Sequence, residues 1–192
     1  MTDSIDALPE GLSFTDNISI TWKNAEHSPD DAQLATLNES NESFLRTASA
    51  IGEFFTDVAE EDAATSQDII RLDLKLNLIL DLVGQLIYKQ LDIPATSLVT
   101  ISSSEVAWQC TDVPEPGQMI FIEAYVQHGT PKPLCFYGEV VSDKQEHSCG
   151  HVRARYLGLN GSAQTWLDKL IFRHHRRAVA HKKAMDSENR SS

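Results

Sequence analysis

Between Ile69 and Ile93, apolar residues recur every three or four positions, at Ile69, Leu72, Leu76, Ile79, Val83 and Leu86, with a polar interruption at Gln90 before Ile93. That spacing predicts one long helix with a heptad seam. The run is also apolar off the seam, at Ile70, Leu74, Leu78, Leu80, Leu82, Ile87 and Leu91. A helix apolar on several sides has to be enclosed by other helices, from its own chain or from other copies. At 1.5 Å per residue it would span roughly 38 Å, longer than a small domain core, so it is expected to protrude and meet its copies. The six seam residues from Ile69 to Leu86 are the expected interface positions. Arg71, Asp73, Lys75, Asn77, Asp81 and Gln85 break the run, which leaves none of the ~18 to 20 uninterrupted apolar residues that a membrane span requires.

A second helix is expected upstream. Ser28 can cap it, Pro29 suits the first helical position, and Asp30 and Asp31 sit at the positive end of its dipole. Its seam would carry Leu34, Leu37, Asn41, Phe44, Ala48, Ile51, Phe55 and Val58, and it should run towards Ala59–Ala64. Asn41, Phe44, Ile51 and Phe55 are accordingly expected at the oligomer interface, with the Asn41 amide fixing register. Gly52 is a weak point. The polar stretch Glu60–Ser66 then joins two helices in an antiparallel hairpin over 28–93, which ends before Pro94.

Elsewhere the period changes from helical to two. Leu12–Trp22 alternates as a strand, and Leu98–Thr100, Val106–Trp108, Gln118–Gln127, Leu134–Val141 and His151–Leu159 read as further short strands divided by Pro, Gly and Ser clusters. These predict a small antiparallel β-barrel, and the chain as a whole reads as α+β. After Asn160-Gly161, Ser162 is expected to cap a closing helix over 162–184, with Trp166, Leu167, Leu170, Ile171 and His174 on one side. Residues 185–192 form a polar tail.

A net charge of −12 argues against broad nucleic-acid affinity. The segment 169–183 runs against that balance with six basic residues and no acid. Arg173, Arg176 and Arg177 are therefore candidates for docking an acidic partner protein, or simply favourable charge at a helix C-terminus. Three cysteines without a CxxC pair, and an acidic N-terminus without a signal-like apolar core, set the expectation of reduced thiols in the cytoplasm. His147, Cys149 and His151 have spacing that could suit zinc on a strand, but a fourth ligand is missing and the surroundings read as a hairpin loop. No metal or cofactor is assigned. There is no Gly-x-Ser-x-Gly elbow and no phosphate-binding Gly-x-x-x-x-Gly-Lys loop, so a non-enzymatic role is expected.

The order of parts over 95–160 resembles the PilZ domain, the bacterial barrel that binds cyclic di-GMP. The matching segments are Thr100–Glu105 leading into a strand, Pro116–Ile120 opening the next, Tyr137–Val141, and Arg153–Leu159 before a closing helix. The resemblance implies that residues 12–23 join 95–160 in one barrel, with the hairpin inserted between them. It further implies that the long helices gather chains into a tetramer, as in atypical members, in the service of pilus function, motility or virulence. Nucleotide-binding members carry Arg-x-x-x-Arg before the barrel and Asp/Asn-x-Ser-x-x-Gly on it. Here the first is absent and the second aligns as Thr100-x-Ser102-x-x-Glu105, where only the serine is kept. Glutamate in place of glycine obstructs and repels a phosphate. The expectation is a scaffold or adaptor that does not bind cyclic di-GMP. The alternative is a sensor with rearranged ligand residues, such as Arg153, Arg155 or the basic closing helix.

Overall fold

One twelve-residue strand organises the sheet by serving two neighbours. Strand β1 (Ser13–Asn24) pairs through Ser13–Ser19 with β2 (Thr96–Ser102) and through Ser19–Asn24 with β4 (Met119–Tyr125), antiparallel in both cases. With β3 (Glu105–Gln109), β5 (Leu134–Val140) and β6 (His151–Leu157) it closes a barrel in the order β1-β2-β3-β6-β5-β4. The computed structural model describes residues 11–57, 71–127, 130 and 132–189 except 73, 77, 80, 81, 85, 88, 89 and 92, with the side chains of 50–57 and 177–189 also outside the description.

Strict alternation fills the interior. In β4, Ile120, Ile122 and Ala124 point inward, and in β5 Leu134, Phe136 and Val140 do so, all buried. Val99, Ile101, Val106, Trp108, Val152 and Ala154 complete the packing from β2, β3 and β6. Each large aliphatic or aromatic side chain withdrawn from water in this way contributes about 1.5–3 kcal/mol before the cost of ordering it. The α+β class and the antiparallel barrel expected from the sequence are both present.

Helices α1 (Asp31–Asp57), the single-turn α2 (Lys144–Ser148) and α3 (Gly161–Asn189) pack around the barrel. The described residues between 71 and 87 are also helical, and the chain turns where the amides of Gln90 and Leu91 both donate to the Ile87 carbonyl at 2.9 Å. The connection around 60–66 expected to join this segment to α1 lies outside the described residues.

The helix starts differ from expectation in two places. Helix α1 is capped by Asp30 rather than Ser28. The Asp30 carboxylate accepts from the Gln33 amide at 2.7 Å, and Gln33 Oε1 accepts from the Asp30 amide at 3.0 Å. This reciprocal box satisfies two free backbone donors, where a single serine hydroxyl satisfies fewer. Helix α3 is capped by Asn160, whose Oδ1 accepts from the Ala163 amide at 2.8 Å, so Ser162 sits inside the first turn. The stretch 143–149, read as a hairpin loop, contains α2. Asp143 accepts from the amides of Gln145 and Glu146, and Glu146 accepts in return from the Asp143 amide.

Two buried asparagines fix α1 on the barrel. The Asn38 side chain donates to the Gly158 carbonyl at 2.8 Å and accepts from the Asn160 amide at 3.1 Å. Asn41, only 2% exposed, donates to the Cys135 carbonyl at 2.5 Å and accepts from its amide at 3.1 Å. Phe44 is buried in the same core cluster. Asn41 and Phe44 are therefore buried in the seam between α1 and the chain's own barrel. The helical period was read correctly, but the surface it meets is the chain's own sheet. Gly158 carries φ +71°, and a Cβ there would stand 2.6 Å from a Leu34 methyl, so the β6–α3 connection needs glycine to pass under α1.

Candidate functional site

Ser102 closes the turn between β2 and β3. Its hydroxyl accepts from the Glu105 amide at 3.0 Å and the Ser104 amide at 3.3 Å, and donates to the Glu105 carbonyl at 3.0 Å. Among the described residues only glycines have positive φ, so this tight turn is held by a side chain and not by a left-handed backbone. The tip is tied down twice more. Gln164 of α3 donates to the Ser103 carbonyl at 2.6 Å, and the Tyr156 amide donates to the Ser104 carbonyl at 3.0 Å. Thr100 pairs with Thr15 across β1 and β2, hydroxyl to hydroxyl at 2.9 Å.

Glu105 follows the tip and is 6% exposed. Strand register brings it opposite Arg155, with Arg153 two residues away on the same face of β6. Its carboxylate meets Arg153 Nε at 3.5 Å and Arg155 Nε at 3.9 Å. Arg153 also reaches Glu146 of α2 at 3.5 Å. The corner is thus an alternating chain of charge: Glu146, Arg153, Glu105, Arg155. A carboxylate this deep is tolerated because cations surround it. The Tyr156 hydroxyl donates to the Glu105 carbonyl at 3.1 Å. Burial first, and the neighbouring Glu105 charge second, push the Tyr156 phenol upward and keep it neutral.

Of the three positions singled out from the sequence, this arrangement brings Ser102 and Glu105 together with Arg153 and Arg155, while the Thr100 hydroxyl meets Thr15 instead. Glu146 was missed, although Asp143-x-x-Glu146 is a capping-box signal, because its partner Arg153 is fixed by tertiary register. The chemistry available is charge pairing. The Glu105 carboxylate, which follows the turn, is engaged by two guanidinium groups. His147 instead meets Glu115 at 3.9 Å, and among the described residues there is no group of three or more His, Cys, Asp and Glu side chains able to hold a metal.

The basic residues of α3 separate into different roles. Arg173 donates from Nη1 to the Ala48 carbonyl at 2.7 Å and braces α3 against α1. Arg176 stands over the exposed Phe172 ring at 5.9 Å, and the Arg177 side chain is outside the described residues.

The segment between 71 and 91 is a second candidate site of another kind. Leu72 is 66% exposed and Leu86 63%, and Leu76, Ile79, Val83, Leu74, Leu78, Leu82, Ile87 and Leu91 are exposed as well. Ile69 lies outside the described residues, as do the side chains of Ile51 and Phe55. No helix among the described residues is long and apolar enough to cross a membrane.

A closed six-stranded antiparallel barrel, entered by one long bent strand and followed by a capping helix, defines a PilZ-type fold. Residues 45–184 match the family described as atypical PilZ domain, cyclic di-GMP receptor, and the chain belongs to that family. Among solved structures the fold is similar to that of a pathogenic protein from Xanthomonas campestris, described as a tetrameric PilZ domain self-assembled via an unusual helical bundle. That likeness has a TM-score of 0.68 and 21% identity, and covers 90% of this chain and 93% of the other. No curated protein sequence is a significant match.

Proposed function

We propose that the chain is a non-enzymatic scaffold or adaptor that self-assembles through residues 69–91, with PilZ barrels displayed around a helical hub. The observation that carries this reading is the exposure of Leu72, Leu76, Ile79, Val83 and Leu86 in the single chain. Burying one such side chain gains about 1.5–3 kcal/mol, so several together favour association strongly. The tetrameric assembly described for the Xanthomonas campestris protein supports a four-chain hub. In this reading the Glu105 corner does not take up cyclic di-GMP, because its carboxylate would face the phosphates while its two arginines are already paired. A role in pilus function, motility or virulence, carried out in the cytoplasm, follows from the family resemblance.

The family's description as a cyclic di-GMP receptor favours a second reading, a sensor using Arg153, Arg155 or α3. Light scattering with and without nucleotide, together with calorimetry, separates the two. The scaffold reading expects a mass of four chains (4 × 21.3 kDa) that nucleotide leaves unchanged, and no heat of binding. A single-chain mass, or cyclic di-GMP binding at micromolar concentration or tighter, would defeat it.

A further inference from the structure

The flank of α3 that continues across onto α1 combines cations with two aromatic rings: Trp166, partly buried against the barrel core, and Phe172, left open to water. Spacings of three and four residues hold Trp166, Lys169, Phe172 and Arg176 on one side of α3. Lys169 Nζ stands 3.9 Å from the Trp166 ring centroid, and Arg46 of α1 reaches the same ring at 5.9 Å. Phe172 is 53% exposed, which is unusual here outside the leucine-rich segment, and Arg176 lies over it. Glu42 pairs with Arg46 at 3.8 Å, but among the described residues no acid comes within ion-pair range of Lys169 or Arg176.

On a chain of net charge −12, this is a local reversal of sign. We infer that the flank Arg46–Trp166–Lys169–Phe172–Arg176 is a docking surface for a short acidic segment of a partner protein carrying an aliphatic or aromatic anchor. The charges select an anion, and the exposed Phe172 ring supplies an apolar seat beside them. Size selects a short segment. The flank from Trp166 to Arg176 is roughly 15 Å long, the reach of about five extended residues. An extended polyanion such as an anionic membrane would meet a chain of net charge −12, whose overall repulsion opposes contact more than it does for a short segment. The corner at Glu105 takes no part in this surface.

The test uses the full chain and a fluorescein-labelled twelve-residue peptide alternating Asp or Glu with Leu or Phe. Its controls are a peptide with Lys at each acidic position and phosphatidylserine vesicles. Anisotropy should rise with the acidic peptide, weaken as salt increases, and fall in affinity by about tenfold or more in the double variant Lys169→Glu/Arg176→Glu. The charge-preserving pair Lys169→Arg/Arg176→Lys should retain binding, and both variants should keep the wild-type solution mass and circular dichroism. Failure to bind the acidic peptide, equal binding by the reversed variant, or tighter binding to the vesicles than to the peptide would overturn the proposal. So would a changed solution mass in the reversed variant, which would make the flank a contact between copies.

Discussion

The barrel and the leucine-rich segment are both rich in branched aliphatic residues, yet they treat them oppositely. In the barrel, Ile101, Ile120, Ile122 and Val106 are fully buried by the chain's own strands. Between 71 and 91, residues of the same chemistry face water in the single chain. The difference is one of geometry. A strand with period two hides half its residues as soon as its sheet closes, whereas an isolated helix apolar on several sides needs neighbours all around. The comparison teaches that apolar content alone does not say where a chain is complete. In this molecule the barrel is complete within one chain, whereas the described leucines and isoleucines between 71 and 91 are left in water by that same chain.

That contrast can be broken or sharpened experimentally, and the largest effect is expected at the helix. Replacing Leu76 and Val83 together by Glu should reduce the assembly to single chains by light scattering, while the barrel's near-ultraviolet dichroism persists. Loss of both signals would show that the two regions are not separable. Trp108→Ala inside the barrel should cost about 3–5 kcal/mol in chemical unfolding, because it leaves a large cavity. A loss under about 1 kcal/mol would contradict the packing described.

Smaller effects probe how α1 is attached. Asn41→Ala strands the Cys135 amide and carbonyl, so a loss of about 1–3 kcal/mol is expected without any change in solution mass. A change in mass with unchanged stability would return Asn41 to the oligomer interface. Gly158→Ala meets both a positive φ and the Leu34 side chain, and should cost about 1–3 kcal/mol by thermal melt.

The smallest effect concerns thiols. Burial, with Glu123 adding to it, pushes the Cys135 thiol up to about 11 from 9.0. The unfolded chain therefore deprotonates first, and the folded state should lose stability progressively as pH rises from about 9 towards 11. At pH 8, Cys149, which is exposed, should react with an alkylating reagent faster than Cys135, as mass spectrometry would read. Equal rates would contradict the burial of Cys135.

The barrel was legible because alternation in segments such as Met119–Tyr125 states both the element and its inward face. The helical period of 34–48 was equally legible, but a stripe does not say which surface covers it, and the Cys135 backbone that Asn41 meets is brought there only by the fold. The helix caps were misread where a proline suggested the start, since the Asp30–Gln33 pair depends on two side chains reaching back to backbone. At the Glu105 corner, the replacement of glycine by glutamate was visible in the sequence. Its engagement by Arg153 was not, because the two meet only through the register of β3 on β6.

Closure of the sheet has one more effect. With β1 hydrogen-bonded to β4 as well as to β2, the six described strands leave no bare margin on which a foreign strand could template. In the proposed assembly, barrels of this kind would stand side by side without zipping edge to edge, and the number of rods in the bundle would set where growth stops.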